Sequence, residues 1–311
     1  MLGNGRSGTS ALAQVLALCG AALPPGLLGA TSENPRGFFE PRAVIRINQA
    51  ILHDRGSSGY DMALDCYQDG AFGTDQNASW VAKAKAYLSG LPAAPLVVIK
   101  EPKTSTVAGI WFEAARQAGF DVAAVVAVRH PDEIIGSLAK RAGRQNYVES
   151  SPELTSAWWL KYSLLAERDT REVPRVFVEY SNLLDDWRRE VSRITTALAI
   201  DLHVTDEAAV DEFLTPNLRH HRTRGPVTEP FGTDWISSVY EALSAAARDE
   251  PVDTAAMDGV FAAYSASERG FRKAFENSRR YRNLDRLLPP FIVKLGLEAL
   301  ALLHRRKGTW A

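Results

Sequence analysis

Only two cysteines, Cys19 and Cys66, occur in 311 residues. One possible pair cannot build a disulfide framework, which excludes small stapled scaffolds and makes a reducing cytoplasm the expected compartment. No basic segment followed by an apolar run opens the chain, because Gly3, Asn4 and Arg6 interrupt it at once, so secretion is not expected. No apolar stretch reaches the roughly 18 residues that span a bilayer. The longest candidate, Phe291 to Leu303, contains Lys294 and Glu298. A surplus of one charge is missing too: 36 basic and 37 acidic side chains leave −1, which argues against a general nucleic-acid binder. What remains, 46% hydrophobic and 23% charged residues, is the composition of a globular protein with one large domain or two modest ones.

The overall balance hides an asymmetry. Residues 271 to 311 hold ten Lys/Arg against Glu276, Asp285 and Glu298, a surplus of +7 that leaves −8 for the rest of a chain whose net charge is −1. Upstream of this tail, short apolar runs alternate with helical periodicity, the pattern of a parallel sheet covered by crossover helices. Strands are expected at Pro95 to Ile99, Val122 to Val128 and Arg175 to Tyr180. Helices are expected at Thr9 to Leu18, Ser105 to Ala118, Pro131 to Lys140 and Leu183 to Ala199. Segments rich in Gly, Pro, Ser, Asn and Asp, from Gly20 to Arg42 and Gly56 to Ala78, read as long surface loops of the kind that carry function. After Asp206 the pattern is helical only, in Trp235 to Arg248 and Asp253 to Phe275, and no internal repeat is visible. The expected division is a domain over 1–270 and a basic amphipathic helical tail over 271–311.

The strongest chemical signal is Gly3-Asn4-Gly5-Arg6-Ser7-Gly8-Thr9-Ser10, which leads straight into a helix. Glycines let backbone N–H groups turn inward and the helix N-terminus adds unsatisfied donors, so an anion is favoured there. Gly3 and Gly8 have the spacing of a nucleoside-triphosphate loop, but Thr9 stands where that loop needs its lysine. Only Met1 and Leu2 are available for a strand ahead of it, which leads to the expectation that the natural polypeptide begins upstream of Met1.

Arg6-Ser7-Gly8-Thr9-Ser10 resembles the 5′-phosphosulfate loop of the sulfotransferases that use 3′-phosphoadenosine 5′-phosphosulfate. A second motif carries the resemblance further: Val125-Val126-Ala127-Val128-Arg129-His130-Pro131, followed by Ser137, is similar to the family's 3′-phosphate site. The resemblance implies a P-loop-like three-layer α/β fold with a central parallel sheet flanked by helices, continued here by a helical C-terminal extension. It implies Gly5, Arg6, Ser7, Gly8, Thr9, Ser10, Arg129 and Ser137 as donor-binding residues. It also implies a transfer needing no metal, to a hydroxyl of a carbohydrate, glycolipid or other small metabolite. A kinase-like nucleotide-binding transferase and a catalytically inactive relative remain the alternatives, and oligomeric state is not readable.

Sulfuryl transfer needs in-line positioning and charge stabilisation, with Arg and Lys serving where kinases use magnesium. Thr31 to Glu40 resembles the segment that supplies a catalytic glutamate in carbohydrate and bacterial members, so Glu40 is the first expectation for the base. Arg6 and Lys100 are expected at the transferring group. Where cytosolic members carry Lys-Thr-His, this chain has Lys100-Glu101-Pro102. The family's histidine base is thus replaced by Pro102, which points to a bacterial-type enzyme. Glu101, between Lys100 and Lys103, is expected to keep a low pKa and to be the weaker base. No His/Cys/Asp/Glu cluster has metal-ligand spacing: the adjacent His220-His221 read as a solvated or loop-bonded pair, and Asp61, Asp65, Asp69 and Asp75, which lack the calcium-loop order, read as solvated. Trp158, Trp159 and Tyr162 read as core packing, with stacking on an acceptor as the alternative. The basic tail is expected to be able to make peripheral contact with the inner face of a membrane.

Overall fold

A computed structural model describes the chain except for residues 32, 33, 35, 65–73, 146–150, 205, 215–224, 288–289 and 307–311. Cys66, Asp65, Asp69 and His220-His221 lie outside the described residues. By its internal contacts the chain divides into Met1–Ala262 and Ala263–Ala311.

The first unit is built on a parallel sheet of order β1-β2-β3, with β1 at Leu2–Gly3, β2 at Ala124–Val128 and β3 at Arg175–Glu179. All five residues of β2 are buried, as befits a valine-rich central strand covered on both faces. Helix α1 (Thr9–Leu18) returns from β1 onto one face. There Leu12, Val15 and Leu16 pack with Val125, Val176 and Val178 of the strands. Helices α2 (Arg42–Asp54), α3 (Thr74–Ser89) and α4 (Ala108–Gln117) lie between β1 and β2 in the chain, α5 (Pro131–Gln145) and α6 (Pro152–Asp169) between β2 and β3. Helix α6 and, further on, α10 (Trp235–Ala246) pack on the sheet, α6 against β1 and α10 against β3.

Three expected segments turn out differently. Residues 95–99 form no strand: the segment makes a single parallel bridge, Ala22 to Val97, through Ala22 N–H to the Leu96 carbonyl and Val98 N–H to the Ala22 carbonyl, both 2.9 Å. Its neighbour β1 is two residues long and joins it through the Met1 amino group on the Ile99 carbonyl at 2.9 Å, so no ladder forms there. The expected helix Leu183 to Ala199 is two, α7 (Tyr180–Asp185) and α8 (Trp187–Leu198). Between them Asp186 leaves helical geometry and its carboxylate accepts the Arg189 amide at 3.0 Å, capping α8. The loop expected from Gly56 to Ala78 ends early, where α3 begins at Thr74. A short α9 (Glu207–Phe213) completes the face beside α1.

The second unit comprises the end of α11 (Thr254–Leu287) and all of α12 (Pro290–Arg306). No helix among the described residues is long and apolar enough to cross a membrane. Cys19 is a free, buried thiol whose pKa burial pushes up to about 11, which makes it a core residue rather than a nucleophile.

Candidate active site

Between β1 and α1 the glycine-rich loop is braced from below. Ser7 donates both its amide (3.2 Å) and its hydroxyl (2.7 Å) to the Asn4 carbonyl. Asn4 in turn donates to Ser163 Oγ at 3.1 Å and to the Trp159 carbonyl at 3.3 Å. Gly8 is the N-cap of α1 at φ 90°, and no side chain caps the helix. A Cβ at Gly8 would run into the Tyr180 ring, so only glycine lets the loop pass and leaves the helix N-terminus open. Arg6 adopts φ 72°, a left-handed conformation that is costly for a residue with a side chain.

The two motifs hold each other. Arg129, just past β2, donates Nη1 to the Arg6 carbonyl at 2.9 Å and thereby braces that strained residue. Arg6 reaches the other way, Nε donating to Ser137 Oγ at 2.9 Å. The Arg129 guanidinium is further placed by Glu133 Oε2 at 2.7 Å and lies 4.7 Å from the centre of the Tyr180 ring.

A cleft of about 550 Å³ opens at this point. Of the residues expected from the sequence, Gly5, Arg6, Gly8, Thr9, Ser10, Glu40, Lys100 and Arg129 line it. Ser7 does not: the brace to Asn4 uses its amide and hydroxyl, and the side chain is turned into the protein. Ser137 stands behind the lining, reaching the cleft only through Arg6. Five cationic residues, Arg6, Arg36, Lys100, Lys103 and Arg129, face two acidic ones, Glu40 and Glu101, so the cleft favours an anion.

Opposite the helix N-terminus, Lys100 is 2% exposed, and its ammonium spends its three donors on Ser10 Oγ (3.1 Å), the Phe38 carbonyl (3.0 Å) and Glu40 Oε1 (2.5 Å). Burial lowers its pKa from the usual lysine value, with the Glu40 charge opposing. Glu40 is thus an ion-pair partner of Lys100 in addition to a wall of the cleft.

Glu101 departs from expectation. Its carboxyl is 4% exposed and burial pushes its pKa up to about 7; the Asn48 hydrogen bond opposes this and the Glu40 charge adds to it. Lys103 lowers the pKa, through its backbone amide and its charge, as expected of a flanking lysine, but burial outweighs both. Asn48 Nδ2 donates to Glu101 Oε2 at 2.6 Å and to Thr104 Oγ1 at 2.9 Å, and Asn48 Oδ1 accepts from the Trp111 indole at 2.7 Å. Asn48 was legible as an anomaly: it is the polar member of the buried stripe Val44, Asn48, Ile51, Leu52 on α2.

The far side of the cleft is aromatic. Trp158, Trp159 and Tyr162 all line it, although Trp159 and Tyr162 are buried and also serve the core. Tyr60 stands edge-to-face on Trp158 with ring centres 5.5 Å apart, and its carbonyl accepts the Trp158 indole N–H. The loop bearing Tyr60 is pinned by a buried lysine: Lys161 of α6 donates to Asp61 Oδ1 at 2.9 Å and to the Asp61 carbonyl at 3.1 Å. Asp61 is therefore no solvated aspartate. Burial pushes its carboxyl up, but the Lys161 charge and the hydrogen bonds from Ser57 and Ser58 outweigh this and hold it below the ordinary range. Asp75 is exposed, and among the described residues no three His, Cys, Asp or Glu side chains assemble as metal ligands.

No family model matches the chain, and no curated protein does. Among solved structures it is similar to a sulfotransferase domain from the curacin biosynthetic pathway, at 15% identity over 78% of this chain and 95% of that domain, with a TM-score of 0.41.

Proposed function

We propose that the protein is a bacterial-type sulfotransferase that moves a sulfuryl group from 3′-phosphoadenosine 5′-phosphosulfate to a hydroxyl of a carbohydrate, glycolipid or other small metabolite. One observation carries the reading: the two sequence motifs, 123 residues apart, are hydrogen-bonded to each other at the rim of a single cationic cleft. The residues present fit the donor's chemistry. The uncapped N-terminus of α1 and Arg6 suit a 5′-phosphosulfate. Arg129, with its planar fork beside the loop, suits a second phosphate. The donor supplies an S–O bond to phosphate that breaks as the acceptor oxygen bonds to sulfur.

In this reading Lys100, placed against Ser10 and the start of α1, stabilises charge at the transferring group, and Glu40 positions Lys100. The acceptor proton goes to Glu101, a cleft carboxyl held by Asn48 and poised near neutral pH, where a general base works best. Tyr60 and Trp158 offer an apolar wall to the acceptor. A cytoplasmic location rests on the sparse cysteines.

The kinase-like alternative is disfavoured by Thr9 in place of the loop lysine. Thermal melting separates the readings. Saturating 3′-phosphoadenosine 5′-phosphate should raise Tm by several degrees while ATP with magnesium does not, and the reverse would favour the kinase. Transfer of labelled sulfate across an acceptor panel then distinguishes an enzyme from an inactive nucleotide-binding relative.

A further inference from the structure

Helix α12 has a surface that a helix in water does not keep. Phe291, Leu295, Leu297, Leu300, Leu302 and Leu303 are each more than half exposed. At 100° per residue, Lys294, Glu298 and Arg305 fall within a stripe about 40° wide, and apart from His304 and Arg306 in the last turn the rest of the circumference carries apolar residues and Gly296. Seventeen residues give about 25 Å of helix, short of the roughly 30 Å hydrocarbon thickness. The helix is too apolar for water and too short to span.

The charge of the second unit names the complementary surface. Residues 263–311 carry eleven Lys/Arg against Glu268, Glu276, Asp285 and Glu298. In the preceding stretch of α11, Phe271 and Phe275 are one turn apart and strongly exposed, at 77% and 65%, with Lys273, Arg279 and Arg280 also exposed. Aromatic and aliphatic side chains among many cations, with few carboxylates, match an interface of acyl chains beneath anionic headgroups. A second copy of the chain would bring a like-charged surface of +7, which opposes a dimer through this segment.

We infer that α12 lies in the plane of an anionic membrane surface, its broad apolar sector in the acyl boundary and the basic residues of the unit at the headgroups. The full chain should co-sediment with vesicles containing about a third phosphatidylserine and bind phosphatidylcholine vesicles at least tenfold less. Raising salt should weaken binding. Leu297→Asp with Leu300→Asp should cut binding more than tenfold, and Arg279→Glu with Arg280→Glu more than tenfold on anionic vesicles only. Nucleotide-induced melting shifts of the variants serve as the folding control. Equal binding to both vesicle types, no binding, or a concentration-dependent dimer abolished by the Leu297/Leu300 pair without vesicle binding would each overturn the inference.

Discussion

The side-chain amide of Asn48 donates to the Glu101 carboxylate at 2.6 Å while its oxygen takes the indole proton of Trp111 at 2.7 Å, so a polar pair is fixed inside an apolar wall. The pair orients one carboxylate oxygen and withdraws the group from water. That combination sets the first prediction. Glu101→Gln should lower turnover by roughly 10² to 10⁴ and remove a rising pH limb centred near 7. Glu40→Gln should also lower turnover, through a misplaced Lys100, but keep that limb. A limb lost in Glu40→Gln and retained in Glu101→Gln would return the base to Glu40.

The same raised pKa has a consequence for stability. A carboxyl whose folded pKa lies above its unfolded value contributes stability that is fully present below the unfolded value near 4.5. That contribution is lost as pH rises through about 7. Urea melts should show Glu101→Gln gaining on wild type between pH 4.5 and 7, by at most about 3 kcal/mol. A constant difference across that window would mean Glu101 titrates normally.

Arg129→Ala should weaken binding of 3′-phosphoadenosine 5′-phosphate by about 2 to 4 kcal/mol in calorimetry, since a charged fork and the brace on Arg6 go together. Ser137→Ala removes only the Arg6 anchor and should cost about 1 kcal/mol. Unchanged affinity in Arg129→Ala would separate this motif from nucleotide binding.

Gly8→Ala should destabilise the fold by more than about 1 kcal/mol and abolish nucleotide-induced stabilisation, because the new methyl meets both a left-handed backbone and the Tyr180 ring. Shrinking the ring with Tyr180→Ala in the same chain should recover only part of the loss. Full recovery would show that the ring alone, and not φ, requires glycine.

Lys161 and Asp61 differ in their access to water, the lysine side chain at 0% and the aspartate at 32%. Asp61→Asn takes away the negative charge facing a buried ammonium that keeps the residue-61 carbonyl as a partner, at a cost of about 3 kcal/mol, whereas Lys161→Met leaves a carboxylate that water can reach and should cost less. Denaturant melts of the two variants check the order.

Much of the site was readable from local chemistry. The Gly3 to Ser10 turn and Arg129 after its valine strand are consecutive residues whose conformational needs are met within a few bonds, and the structure puts both on the cleft. The role of Ser7 was not readable, because whether a loop hydroxyl faces ligand or protein depends on Asn4 and, behind it, α6. The segment 95–99 has the composition of a strand, yet pairing requires neighbours, and these are one residue at Ala22 and a two-residue β1. Asn48 and Lys161 announced themselves only as polar intruders in apolar helices; their partners lie 53 and 100 residues away in the chain.

Alternation of apolar strands and amphipathic helices, the glycine-dependent turn and the absence of a loop lysine were determined by sequence alone, since each rests on backbone sterics, side-chain period or residue identity. Tertiary structure decided which carboxylate is paired and which is poised. Glu40 and Glu101 are alike in chemistry, but desolvation and Coulomb interaction depend on what surrounds a group in space. Only the fold sets Glu40 against the Lys100 ammonium and buries Glu101 beside Asn48.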